Sequence, residues 1–190
     1  RLRVALHIGA NGVAPLTEVA AATRDQVDCW LVFRHGEKVT NAAWIARARE
    51  VLGPSATVGG GTDLYFTELN REPPDARLLD VVTFSLNPQV HASDDRTVVQ
   101  NLAAQATIAE NAVRLCGPAR VSVGPITLRP RFNPNATDPE LDDRSGPLPS
   151  SVDARQATWF AAAWTAISIK YLSEPGTVEA LTYYETTGWR

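Results

Sequence analysis

Val178-Glu-Ala-Leu-Thr-Tyr-Tyr-Glu-Thr-Thr-Gly-Trp-Arg190 reads as a short strand, rich in β-branched and aromatic residues, that carries Glu185 to a tip marked by Gly188. A carboxylate flanked by Tyr183, Tyr184 and Trp189 is ill suited to a core, where an unpaired charge is costly, and well suited to a pocket for a small polar ring. The alternative is a solvated or salt-bridged Glu in a strand-end turn, as most Glu residues are. The pocket is favoured because earlier strands also run into polar residues.

Arg3–Ile8 (RVALHI) closes at Gly9-Ala-Asn-Gly12, and Cys29–Arg34 (CWLVFR) at His35-Gly36-Glu37. The second of these is nearly all apolar, as a strand covered on both faces must be. A third strand, Ala56 to about Thr62, is followed by Asp63-Leu-Tyr-Phe-Thr-Glu-Leu-Asn-Arg71. A fourth, Asp80–Leu86 (DVVTFSL), leads into Asn87-Pro-Gln-Val-His91, and a fifth, from Arg120, exits through Arg129-Pro-Arg-Phe-Asn-Pro-Asn135. Gly59-Gly60-Gly61 has neither the dinucleotide nor the Walker spacing, so these glycines are read as positions where neighbouring backbone or substrate comes close.

Helical patterns fill the gaps. Pro15 suits the first turn of a helix to about Arg24, with Leu16, Val19 and Ala20 on one side. Thr40 or Asn41 caps a second, with stripe Trp44/Ile45, Ala48 and Val51/Leu52, stopped by Gly53-Pro54. Pro73-Pro74 excludes a regular helix near it, so residues 63–78 are expected to form a long loop. Asp94 or Asp95 caps a single long helix with Val98/Val99, Leu102, Ala106, Ala109, Val113 and Cys116 in register. A proline-rich loop follows Arg129, its first third expected to order over the site. Ser150-x-x-Asp153 then resembles a capping box opening a helix whose stripe is Phe160, Ala163/Trp164, Ile167 and Tyr171.

Six strand–helix alternations, with crossovers too long for hairpins, predict a parallel sheet. The choice lies between a (β/α)8 TIM barrel and an open doubly wound sheet. Polar clusters after at least five strands fit a barrel mouth better than one switch-point crevice. Six units fall short of a barrel of roughly 250 residues, so the expectation is an incomplete barrel of about six parallel βα units, one catalytic domain over residues 1–190, as a fragment lacking terminal strands.

With 44% hydrophobic and 21% charged residues the chain is an ordinary globular one. A net charge of −3 and no Lys/Arg cluster argue against nucleic-acid or anionic-membrane partners. No apolar run reaches the roughly 18 residues of a membrane span, and no signal pattern opens the chain. Cys29 and Cys116 read as buried thiols rather than a disulfide, giving a cytoplasmic setting by default. His7, His35 and His91 sit on separate strands without any metal-ligand spacing. No cofactor and no metal is expected, and oligomeric state is open.

If Glu185 ends a seventh barrel strand, residues 56–62 form the fourth. That placement resembles the glycosidase clan with an acid/base after strand four and a nucleophile ending strand seven. Here Glu68-Leu69-Asn70 stands where those enzymes usually carry Asn-Glu, and retention would need carboxyls roughly 5–5.5 Å apart. A more extensive resemblance rests on Gly60-Gly-Thr-Asp-Leu-Tyr-Phe-Thr-Glu-Leu-Asn-Arg71, Phe84-Ser-Leu-Asn-Pro-Gln-Val-His-Ala92, Thr127-Leu-Arg-Pro-Arg-Phe-Asn-Pro-Asn-Ala136 and Thr182-Tyr-Tyr-Glu-Thr-Thr-Gly-Trp-Arg190. These runs are similar to those of the bacterial D-apionate lactonase family. The resemblance implies hydrolysis of the sugar lactone D-apionolactone to D-apionate within D-apiose breakdown.

Lactone hydrolysis needs an activated water, a stabiliser for the tetrahedral oxyanion and an acid for the leaving alkoxide. No G-x-S-x-G supports a serine route. Glu185 is the candidate base, with Glu68 a second candidate carboxylate. Arg129 is the oxyanion donor and His91 the acid. Asp63, Asn70, Asn87, Arg131, Tyr184 and Trp189 are the candidate substrate contacts. Each has a structural alternative: Arg129 and Arg131 pinning the loop, His91 bonded to a carbonyl, Asn87 ending its strand before Pro88, Asp63 capping a turn. The competing functions are a glycoside hydrolase using Glu68 and Glu185, and a non-catalytic carbohydrate-binding remnant.

Overall fold

The computed structural model describes residues 2–9, 12–23, 26–131, 148–149 and 151–184. Among them the strands are β1 (Leu2–Ile8), β2 (Val27–Arg34), β3 (Val58–Tyr65), β4 (Val81–Leu86), β5 (Arg120–Ile126) and β6 (Val178–Tyr183). The helices are α1 (Ala14–Thr23), α2 (Ala42–Leu52), α3 (Phe66–Arg71), α4 (Asp95–Gln100), α5 (Ala104–Cys116) and α6 (Trp159–Ser173). Parallel strands alternating with helices, hydrogen-bonded in chain order, are the fold class of an incomplete (β/α)8 barrel, as expected. The chain divides into two compact units, residues 1–85 with 112–122 and residues 86–111 with 123–190.

In the first unit β1 pairs with β2 from Arg3↔Cys29 to Ile8↔Arg34. Cys29, Trp30, Val32 and Phe33 are all buried. β2 pairs with β3, and β3 with β4, in parallel. The Arg3 guanidinium donates to Ser122 Oγ at 3.1 Å. β1 and β5 are four places apart in the strand order, about 19 Å in a flat sheet and beyond an arginine's reach. The sheet of this unit is therefore strongly curled.

The three glycines of β3 permit that curl. A Cβ on Gly59 would lie 2.6 Å from Leu31 Cδ2 and 3.0 Å from the Val81 carbonyl. Gly61 holds φ at +115°, and a Cβ there would lie 2.5 Å from the Thr83 carbonyl. Pairing with β4 shifts register between Gly61 and Tyr65, a bulge that bends the strand and re-aims the side chains after it. On the helix side, Asn41 caps α2 by accepting the Ala43 and Trp44 N–H groups. Ile45, Ala48 and Leu52 form its buried stripe.

One expectation for this unit fails. Residues 63–78 are not a long loop: β3 runs to Tyr65 and α3 follows over Phe66–Arg71. Pro73 lies two residues past the last helical residue, so it blocks continuation without touching the turns before it. Leu69, fully buried, anchors α3.

In the second unit, β5 continues beside Leu86, whose carbonyl accepts the Thr127 N–H at 3.0 Å. Tyr184 N–H donates to Ile126 O at 3.1 Å, linking the residue after β6 to β5. Asp94 caps α4 through the Thr97 N–H. The single long helix expected here is in fact two. Asn101 turns its amide onto the Pro88 carbonyl at 2.9 Å, and the Leu102 and Gln105 N–H groups bond three residues back. That tighter turn changes the phase of α5. The buried positions become Val98, Leu102, Gln105, Ala109, Ala112 and Cys116 instead of the Ala106–Val113 side, and Val99 is exposed.

α6 also differs. Asp153 caps a 3₁₀ turn, Ala154–Ala157, and α6 begins only at Trp159. Its buried stripe is Ala161, Trp164, Ser168 and Leu172, whereas Ile167 is 40% exposed. Apolar side chains occur nearly all round this helix, so the pattern alone leaves its rotation undecided. Polar partners decide it. Ser168 Oγ donates to Gln105 Oε1 at 2.6 Å and accepts from Tyr183 Oη at 2.8 Å, while Trp164 Nε1 donates to Val98 O at 3.3 Å.

Candidate functional site

In a parallel barrel the chemistry gathers at the carboxyl ends of the strands. In the first unit those ends bring together His7, next to last in β1, His35, directly after β2, and Asp63, within the β3 bulge. His7 Nε2 lies 3.2 Å from Asp63 Oδ2. The His7 ring lies 5.4 Å from the His35 ring and 5.2 Å from that of Phe33, both tilted. Phe33 is the residue directly across from His7 in the ladder.

The backbone around this cluster is tied on several sides. Asp63 O accepts the Ser85 hydroxyl at 2.9 Å. Thr62 Oγ1 donates to Lys38 O at 2.6 Å and accepts the Leu64 N–H at 2.9 Å. The His35 N–H and one Arg34 guanidinium nitrogen share Ile8 O at 3.0 and 2.8 Å. The His7 side chain remains 39% exposed and Asp63 22% exposed, so water reaches a pair whose frame is fixed.

Glu68, also in this unit, is buried in α3. Its two oxygens meet Arg71 Nη1 at 3.0 Å and Lys38 Nζ at 3.6 Å. A buried carboxylate with two cations is held in place, an arrangement that suits an anchor. Asn70 is on the exposed side of the same helix.

In the second unit the residues after β4 and β5 form a buried network. Asn87 Oδ1 accepts the Gln89 N–H at 3.0 Å, an Asx turn directly before Pro88. Gln89 Nε2 donates to Leu128 O at 2.7 Å and to Asp153 Oδ2 at 2.5 Å. Arg155 clamps Asp153 with Nε and Nη2, at 2.8 and 2.7 Å, and reaches Asp95 with Nη1. The hydrogen bonds from Arg155 hold the Asp153 carboxyl well below the usual carboxylate range, and Asp153 in turn raises Arg155.

Arg129 reaches Val152 O at 3.5 Å, Arg131 is half-buried and His91 is exposed. Tyr184, at φ +50°, shares a 2.9 Å hydrogen bond with Thr165 Oγ1. Desolvation raises its phenol, and pushes that of Tyr183 up to about 12. Glu185 and Trp189 lie outside the described residues, as do residues 132–147, most of the proline-rich loop.

The structure thus brings His7 to Asp63, a pairing the sequence pattern did not single out. The available signal was position: His7 is next to last in β1, at the end of the strand where the polar residues gather. Gln89, Asp153 and Arg155 were also missed, since nothing local marks them as partners. Among the described residues no group of three or more His, Cys, Asp or Glu side chains is arranged to hold a metal ion, and no helix is long and apolar enough to cross a membrane.

A family model described as D-apionate lactonase, TIM barrel domain, matches residues 12–190. The D-apionate lactonase of Brucella anthropi is 43% identical over 81 residues, which are 43% of this chain and 13% of that protein. The matched stretch is therefore a small part of that relative's length. No solved structure matches the chain. With nearly its whole length matched, the chain belongs to the D-apionate lactonase TIM barrel domain family.

Proposed function

We propose that the protein containing this barrel hydrolyses a sugar-acid lactone, D-apionolactone, to the open acid D-apionate in carbohydrate catabolism. The observation that carries the reading is the family match over residues 12–190. The polar side chains at the carboxyl ends of β1, β2 and β3 support it, because lactone opening needs positioned groups to activate water. That water is activated by a carboxylate, either directly or through a histidine. Glu185 is the direct candidate, and Asp63, 3.2 Å from His7, the indirect one. The two cations that hold Glu68 fit an anchoring role, which weighs against the glycosidase reading.

The test is to assay the full-length protein on D-apionolactone and on aryl glycosides. Release of acid from the lactone alone is expected. Cleavage of the glycosides with an inert lactone would replace the reading by glycoside hydrolysis, and binding without turnover of either would leave a carbohydrate-binding barrel.

A further inference from the structure

His7 Nε2 stands 3.2 Å from Asp63 Oδ2. A carboxylate oxygen only accepts hydrogen bonds, so a hydrogen bond across that gap requires the hydrogen on Nε2. In the neutral imidazole the lone pair then sits on Nδ1. A carboxylate that holds a histidine in one tautomer and orientation is the arrangement that turns imidazole into a directed base. The ring is also fixed from its sides, by Phe33 at 5.2 Å and His35 at 5.4 Å. Asp63 is fixed in turn by the β3 bulge after Gly61 and by the Ser85 hydroxyl on its carbonyl. Base, orienting carboxylate and supporting hydrogen bond all belong to the first unit, on β1, β3 and β4.

We propose that His7, oriented by Asp63, is the general base that activates the lytic water. The proposal rests on the lactonase reading above. Nδ1 removes a proton from water as the water oxygen bonds to the lactone carbonyl carbon. The tetrahedral oxyanion collapses, the ring C–O bond breaks, and the proton on Nδ1 passes to the leaving alkoxide. One lactone and one water give one hydroxy acid, and the imidazole ends as it began. His7 is the catalytic residue in this scheme and Asp63 a positioning residue. Among the described residues, the charged or titratable side chains recorded against His7 are Asp63 from β3 and His35 after β2.

The experiment uses the full-length protein with D-apionolactone as substrate. Wild type that fails to open the lactone refutes the lactonase reading itself, before His7 is in question. If wild type turns over, His7→Ala is expected to lower kcat about 10²–10⁴-fold, the usual contribution of a general base, with KM changed little. Added imidazole should restore part of the lost rate, which a structural role would not allow. His7→Gln keeps an N–H donor for Asp63 but offers no base, so it should fold and be as slow as His7→Ala; it is the variant to read if the alanine protein unfolds. Asp63→Asn should lower kcat at least about tenfold and leave KM nearly unchanged, because an amide can hold the wrong tautomer. A folded His7→Gln protein with kcat within threefold of wild type overturns the proposal. So does a slow His7→Ala protein that imidazole does not rescue at all.

Discussion

Gly60 and Gly61 are neighbours in β3, and replacing each with alanine should give unequal outcomes. At Gly61, φ is +115°, a region that costs a non-glycine residue about 1–3 kcal/mol. The new Cβ would also lie 2.5 Å from the Thr83 carbonyl and 3.1 Å from its nitrogen. Those are backbone atoms held in the ladder, so β3 or β4 must shift, adding an overpacking cost of about 1–3 kcal/mol. The two costs sum to about 2–6 kcal/mol and, at about 2–4 °C per kcal/mol for a domain of this size, lower the Tm of the barrel's transition by about 4 °C or more. At Gly60 no positive φ intervenes, and the nearest atoms are Leu79 Cδ2 and Thr40 Oγ1, both at 3.3 Å. The Leu79 end can yield, but the buried Thr40 hydroxyl, held to Val32 O at 2.6 Å, must give by a little, which offsets the about 0.4–1 kcal/mol that alanine gains by restricting the unfolded chain. Gly60→Ala is therefore expected to move Tm by less than about 4 °C. Thermal unfolding of the full-length protein, followed by circular dichroism, reads both. Gly61→Ala should also slow lactone turnover, since Asp63 follows two residues later. Equal Tm shifts for the two variants would refute the account of the β3 bend.

Asp153→Asn should destabilise the second unit by about 3–5 kcal/mol, the cost of breaking one side of a buried ion pair. Because the Asp153 carboxyl is depressed in the fold, its contribution is fully present above the unfolded value of about 3.9 and is lost as pH falls toward the folded value. Denaturant titrations should accordingly show a constant gap between wild type and variant from pH 5 to 8 that narrows only below about pH 4. Ser168→Ala leaves Gln105 Oε1 and Tyr183 Oη without their shared partner and should cost about 1–3 kcal/mol; adding Gln105→Leu should recover part of it, as denaturant midpoints will show. Cys116, buried and pushed up to about 11 by desolvation, should resist a thiol reagent in the native protein at pH 8 and react rapidly once unfolded.

Much of the fold was legible where the deciding interactions are local. Asn41 and Asp94 cap helices within three residues of themselves, and the apolar run of β2 announced a strand covered on both faces. Gly59-Gly60-Gly61 was rightly read as a place of close approach. The reading failed where a contact from elsewhere rotates or breaks an element. Asn101 turning onto Pro88 O splits the long helix, and the Gln105–Ser168–Tyr183 chain sets the face of α6.

The candidate site divides in the same way. Sequence determined where most strands run and that polar residues follow them, because turn chemistry is written in a few consecutive residues, although β3 runs on to Tyr65. It also determined the family, through four runs of unusual composition. Which of those strand-end groups meet was decided only by tertiary structure. Glu68 goes to two cations and Asp63 to His7, since partners on different strands are chosen by the curl and bulge of the sheet. Those depend on how glycines, backbone carbonyls and packed side chains from distant segments fit together, and no short window of sequence contains that information.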